Sequence, residues 1–199
     1  MNMNNSKILF KINECEDIII QVDEYPEDVP YCFYDANFFL QNRNEKIKLC
    51  SFSLPSYVEA LSIALNQALQ NQRQLFYQHS QDIGYLWNLY VNADNEAQLS
   101  YAEKEYEFLD DYYIWYSTFT TWIYNDKKGN IVLEITPSYP HTYSSNFSYQ
   151  DFLKWMQNYK PLFKTIIPRE VAEQWLAQAT QILMTIDENS EQLHAQGKL

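Results

Sequence analysis

Glycine is nearly missing from this chain, with three residues in 199. Loops that lay backbone amides against phosphates need glycine where the main chain must approach a ligand closely. Gly-x-Gly-x-x-Gly and P-loop arrangements are therefore excluded, and with them most nucleotide-dependent catalysis. No Gly-x-Ser-x-Gly elbow presents a serine nucleophile. Histidine is equally scarce, and His79, His141 and His194 share no metal-ligand spacing. The three cysteines, Cys15, Cys32 and Cys50, form no Cys-x-x-Cys pair and are too few and too far apart for a disulfide framework. They read as reduced, with Cys32 and Cys50, inside apolar segments, as small buried thiols. Apolar runs such as 18–20 and 131–133 are only a few residues long, far below the roughly 20 that cross a bilayer. The N-terminal Met-Asn-Met-Asn-Asn-Ser-Lys has little charge and no apolar stretch behind it, unlike a secretory signal. A soluble cytoplasmic protein of one domain, 1–199, is the expectation.

Basic residues are also few: 14 Lys and Arg against 26 Asp and Glu, a net charge of −12. Such a surface repels nucleic-acid phosphates and anionic lipid, so neither is expected as a partner, and a basic protein is the natural complement. The acids are clustered. From Ile12 to Asn42 there is no Lys or Arg, yet Glu14, Glu16, Asp17, Asp23, Glu24, Glu27, Asp28 and Asp35 all fall there. A second block holds Asp94, Glu96, Glu103, Glu105, Glu107, Asp110 and Asp111, relieved only by Lys104.

What the chain has in plenty is apolar and aromatic residues, 46% and 17%, enough for a substantial core. Short β-branched runs at 7–12 and 18–22 predict a hairpin, and 31–40 with 47–52 predict two more antiparallel strands. Ser53-Leu54-Pro55-Ser56 then opens a helix, whose apolar stripe is Tyr57, Leu61, Ala64, Leu65, Ala68 and Leu69. The Gln/Asn-rich stretch 66–78 reads as its continuation. Ile83 to Val91 suits helix or strand, with Gly84 interrupting either pattern; the acidic segment 96–111 reads as helix. Residues 112–124 and 131–136 suit strands, joined through Asn125-Asp126-Lys127-Lys128-Gly129-Asn130, where Gly129 can take a positive φ. Near the C-terminus, Ser148 with Asp151 three residues on caps a helix through Phe152, Trp155, Met156 and Tyr159, closed by Pro161. Pro168 starts another, with Val171, Trp175, Ala179, Ile182, Leu183 and Ile186 as its stripe, and the polar tail after Asp187 is expected to fray. The fold class is α+β: an antiparallel sheet of N-terminal strands and a central hairpin, packed against three or more helices.

Two groups invite a catalytic reading. Glu134, between Leu133 and Ile135, acquires a raised pKa if desolvated; the plainer reading is an outward strand residue paired with Thr121 or a lysine. His141 follows the strand-ending prolines with no ligand-spaced partner, and reads as a solvent-facing loop residue. Abundant acids also leave open a carboxylate-pair hydrolase or an aromatic carbohydrate-binding groove, and a subunit of a larger assembly is a further alternative. No cofactor is implied.

A binding protein accounts for more of the sequence. Tyrosines are interleaved with both acidic blocks, and tyrosine offers broad contact area at low entropic cost while acids steer basic partners. The preferred surface is Asp23, Glu24, Tyr25, Glu27, Asp28, Tyr31, Tyr34 and Asp35; the reserve surface is Glu103, Tyr106, Asp110, Asp111 and Tyr112. The stretch 122–140, with its Trp-x-Tyr-Asn-Asp turn, Gly129-Asn130-Ile131 and Leu133-Glu134-Ile135-Thr136-Pro137-x-Tyr139, resembles bacterial immunity-type proteins of polymorphic or contact-dependent inhibition toxin systems. The matching stretch is about a tenth of the chain. The resemblance implies an acidic, non-enzymatic plug over the basic active site of a nuclease-like toxin.

Overall fold

The computed structural model describes residues 3–26, 28–75, 82–93, 113–115, 117–142 and 144–197. Along the chain run β1 (Lys7–Lys11), β2 (Glu16–Val22), a 3-10 turn (Tyr31–Phe33), β3 (Asp35–Asn42), β4 (Glu45–Ser53), α1 (Leu54–Leu69), α2 (Ile83–Val91), β5 (Tyr113–Trp115), β6 (Phe119–Asn125), β7 (Ile131–Pro137), α3 (Tyr149–Met156), β8 (Phe163–Ile167) and α4 (Arg169–Ala195). The class is α+β. The strands divide into two antiparallel four-stranded sheets, β1-β2-β3-β4 and β5-β6-β7-β8. They belong to two compact units, one built from residues up to Gln70 and from Ile167 onward, the other from Asn71–Ile166.

In the first unit, alternation does what a half-buried sheet requires. Ile8 and Phe10 of β1 face the core while Lys7, Leu9 and Lys11 face out, and Phe10 pairs with Ile18, Ile18 with Leu40, and Ile20 with Phe38. Tyr57 of α1 stacks on Phe38 with ring centroids 3.5 Å apart. Trp175 of α4 meets Phe10 edge to face at 5.5 Å. The same helix seals the sheet edge: Trp175 Nε1 donates to Lys11 O at 2.7 Å and Gln178 Nε2 to Leu9 O at 3.1 Å, so carbonyls of the edge strand are occupied. Cys50 is buried, and burial pushes its thiol up to about 12. Cys32 is exposed, contrary to expectation, because it lies in the 3-10 turn and not in a strand.

That turn corrects the third strand, which begins at Asp35 and not at residue 31. Pro30 holds φ −63° ahead of it, and Phe33 N–H donates to Pro30 O and Tyr34 N–H to Tyr31 O, closing tight turns where the aromatic content suggested pleat. The α1 helix also stops earlier than the polar stretch suggested. Asn71 takes φ +58°, and beyond it Arg73 and Gln74 run beside β6, where Asn125 N–H donates to Arg73 O at 2.9 Å and Gln74 bridges Asn125. Residues 76–78 of that stretch lie outside the described residues, as does the 96–111 segment read as helix. At the other end α4 continues to Ala195 instead of fraying. Asn189 Oδ1 accepts the Tyr31 N–H at 2.9 Å and Leu193 is buried, so the polar last turns are tied down.

In the second unit, β6 and β7 are buried along nearly their whole length, with Trp122 opposite Glu134, Ile123 opposite Leu133 and Tyr124 opposite Val132. Helix α2 lays Ile83, Leu86 and Trp87 on Trp122, Tyr124 and Val132. Two expectations change here. The 112–124 run is not one strand: it bends at Ser117-Thr118 and β5 folds back on β6, Tyr113 opposite Trp122. Between Pro161 and Pro168, where no element was expected, β8 lies beside β7. Ser148 caps α3 as its spacing indicated, its Oγ accepting the Asp151 N–H at 3.4 Å.

Candidate functional site

The polar residues of the 122–140 stretch serve two different ends. In the turn, the Asp126 carboxylate accepts from Lys128 N–H at 2.8 Å, Asn130 N–H at 2.9 Å and Asn130 Nδ2 at 2.8 Å, and Gly129 supplies φ +80°. Desolvation pushes the Asp126 carboxyl upward but is outweighed by these bonds, so it sits below its ordinary value. We expect Asp126→Ala to cost about 1 kcal/mol in urea unfolding, with hairpin amide exchange accelerated first; unchanged exchange at Lys128 and Asn130 would show that the turn holds without the carboxylate.

Glu134 is the more unusual group. It is fully buried instead of facing outward, because α2 covers the face of β7 that carries it. Its Oε2 accepts from Tyr124 OH at 2.8 Å and lies 2.9 Å from Lys164 Nζ, and its Oε1 accepts the Gly84 N–H at 3.3 Å. The lysine comes from β8 and not from across the hairpin. Lys164 Nζ also lies 2.7 Å from Asp82 Oδ1, at the residue preceding α2. Desolvation raises the Glu134 pKa, offset only in part by Lys164 and Tyr124. Its burial and its neighbour Glu134 also raise Tyr124. The raised carboxylate that the sequence allowed is therefore present. Both of its oxygens are nevertheless engaged, and the two carboxylates that approach each other, Asp82 and Glu134, share Lys164 between them. This is a clamp joining α2, β6, β7 and β8, and a substrate-sized gap between paired acids is not what Asp82 and Glu134 form.

Around the clamp, polar groups stitch α2 to β7. Asn88 Nδ2 donates to Gly84 O at 2.8 Å and to Pro137 O at 3.1 Å, and Asn88 Oδ1 accepts the Tyr139 N–H at 3.0 Å. Trp122 Nε1 donates to Thr136 Oγ1 at 3.0 Å. His141 is exposed, at the edge of the Tyr139 ring. Sequence reasoning missed Lys164 and Asp82, since nothing in a linear order couples residues 82, 134 and 164. Gly84 did carry a signal, as one of few glycines and inside a helix-compatible run.

The candidate contact surface lies in the first unit. Asp23, Glu24, Asp28 and Asp35 are exposed and Tyr25 and Tyr31 half-buried. Tyr34 is 1% exposed and is a structural floor, not contact area: Tyr25 stacks on it at 4.2 Å and Tyr31 tilts against it at 5.0 Å. The segment is braced at Asp23, Tyr25, Tyr31 and Asp35. Asn4 accepts the Tyr25 N–H and donates to Tyr25 O, both at 2.7 Å. The Asp35 N–H donates to Tyr25 OH at 2.9 Å, and Asn37 Nδ2 to Asp23 Oδ1 at 2.8 Å. Phe33, which sequence reasoning passed over, is 66% exposed two residues from Asp35; nothing in the run Tyr-Cys-Phe-Tyr distinguishes the outward ring from the inward one. Glu27 lies outside the described residues, as do Glu103, Tyr106, Asp110, Asp111 and Tyr112 of the reserve surface. No protein-family model, curated protein or solved structure matches the chain.

Proposed function

We propose that this chain is a non-enzymatic acidic binding protein that acts in the cytoplasm, neutralising a basic, nuclease-like bacterial toxin by covering its active site, with no role in binding nucleic acid or membranes. The observation that carries the reading is that Asp23, Glu24, Asp28 and Asp35, four exposed carboxylates, accompany an outward phenyl ring on a stretch braced at Asp23, Tyr25, Tyr31 and Asp35. A net charge of −12 supplies the long-range field that steers a basic partner. Phe33 supplies an apolar anchor, and bracing lowers the ordering cost of association. The resemblance of the 122–140 stretch supports the toxin as the partner; in the fold its strands are buried and its turn at 127–129 is exposed.

Two experiments test this. If a neighbouring gene encodes a secreted toxin, co-expression of this chain is expected to rescue a host from it, and failure to rescue would overturn the neutralising role. Reversing charge at Asp23, Glu24, Glu27 and Asp28 together is expected to slow association with that toxin by an order of magnitude or more at low salt, with the effect shrinking as the Debye length falls below about 10 Å. Unchanged association kinetics would remove this surface.

A further inference from the structure

A second, independent site lies in the Asn71–Ile166 unit. A cleft of about 260 Å³ is walled by Phe119, Pro137, Trp155, Tyr159, Pro161 and Leu162, with Asn158 and Lys160 as its polar members. The aromatic walls pack on neighbouring rings. Trp155 packs on Phe152 at 6.4 Å and edge to face on Tyr139 at 5.5 Å and Tyr159 at 5.7 Å. Tyr159 is held in turn by Tyr85 at 5.5 Å.

The backbone offers a ligand few donors. Pro137 and Pro161 have no N–H, and the Leu162 N–H is spent on Ile135 O at 2.8 Å. Asn158 Nδ2 reaches Lys154 O at 3.4 Å, a long contact. The charged residue among the lining is Lys160. Lys154 is paired with Asp151 and Lys164 with Asp82 and Glu134, whereas Lys160 is exposed and makes no ion pair among the described residues. A cation with no ion pair among the described residues, lining an aromatic cleft on a molecule of net charge −12, is a selective feature.

We propose that this cleft binds a carboxylate carried on a small apolar or aromatic body, the body between Trp155, Tyr159 and Phe119 and the carboxylate on Lys160. A charge-assisted bond to the ammonium discriminates the acid from its neutral amide. The protein's overall negative charge does not cancel this, since ionic screening acts within about 8 Å at physiological salt. The volume is below the roughly 300 Å³ at which drug-sized sites begin, so the ligand is fragment-sized.

The test is titration of the whole chain with phenylacetate, followed through the Trp155 indole resonance, against phenylacetamide. Phenylacetate is expected to bind about tenfold more tightly than the amide, with shifts converging on Trp155, Asn158 and Tyr159. Lys160→Gln, an exposed substitution that spares the fold, is expected to erase that difference while leaving the amide's binding unchanged. Equal binding of acid and amide, a preference that survives Lys160→Gln, or no saturable response at Trp155 would each overturn the assignment. A hexapeptide ending in a free Phe, compared with its amidated form, separates two sources of the same chemistry. Tighter binding of the free-ended peptide than of phenylacetate assigns the cleft to a chain end, and weaker binding to a free acid.

Discussion

Replacing Gly84 with alanine is expected to destabilise the Asn71–Ile166 unit by about 2 to 3 kcal/mol, although alanine is the better helix former by about 1 kcal/mol. A methyl group at that position would sit 2.5 Å from Thr136 Cβ and Cγ2 and closer still to Oγ1. Thr136 has nowhere to go. It is fully buried on β7, its hydroxyl accepts from Trp122 Nε1 at 3.0 Å and donates to Thr120 O at 3.4 Å. Moving α2 outward instead would stretch the Gly84 N–H bond to Glu134 and the Asn88 bonds to β7 and Tyr139. Urea midpoints measure the loss. A variant more stable than the parent would mean that α2 can shift at no cost, and that the glycine is not there for close approach.

Lys164→Met is expected to be comparably damaging, at about 2 to 3 kcal/mol. Stranding a fully buried partner typically costs about 3 to 5 kcal/mol, discounted here because the lysine side chain is 41% exposed. The substitution strands Glu134, which has no exposed surface to fall back on. The pH dependence carries a definite sign. Burial already holds the Glu134 carboxyl above its ordinary value. A group raised on folding contributes its stability fully below its unfolded value, about 4.3, and loses it as pH rises through the folded value. Removing Lys164 takes away the largest force opposing that rise, so the deficit of the variant is larger at about pH 8 than at about pH 5. Combining Lys164→Met with Glu134→Gln removes the stranded charge and is expected to recover most of the loss. A deficit independent of pH and unrelieved by the double substitution would indicate lost packing of the lysine stem in place of a clamp.

Local patterns carried much of the architecture. Alternation in β1, the β-branched run of β2, the apolar stripe of α1, the Asn-Asp…Gly-Asn turn and the Ser148 cap are all governed by neighbours within a few residues, and each formed where those neighbours said. The departures share a cause. The 3-10 turn at Tyr31–Phe33, the fold-back of β5 on β6, β8 and the end of α1 at Leu69 depend on what lies opposite each segment. Tyr31 needs Asn189, and Arg73 needs Asn125, from 158 and 52 residues away. The acidic segment 23–35 was legible as charge, while which of its rings face outward was not, since Tyr34 becomes floor and Phe33 becomes surface.

Composition and short-range order by themselves determined the α+β class, the lack of glycine-rich phosphate-loop motifs and the acidic field, because glycine supply, hydrophobic period and net charge are properties of the chain before it folds. Tertiary structure alone decided that Glu134 is clamped instead of exposed, that Gly84 is a contact instead of an interruption, and that Lys160, without an ion pair among the described residues, lines an aromatic cleft. The physical reason is the same for all three: desolvation, close approach and ion pairing are set by groups that meet only when distant strands and helices come together.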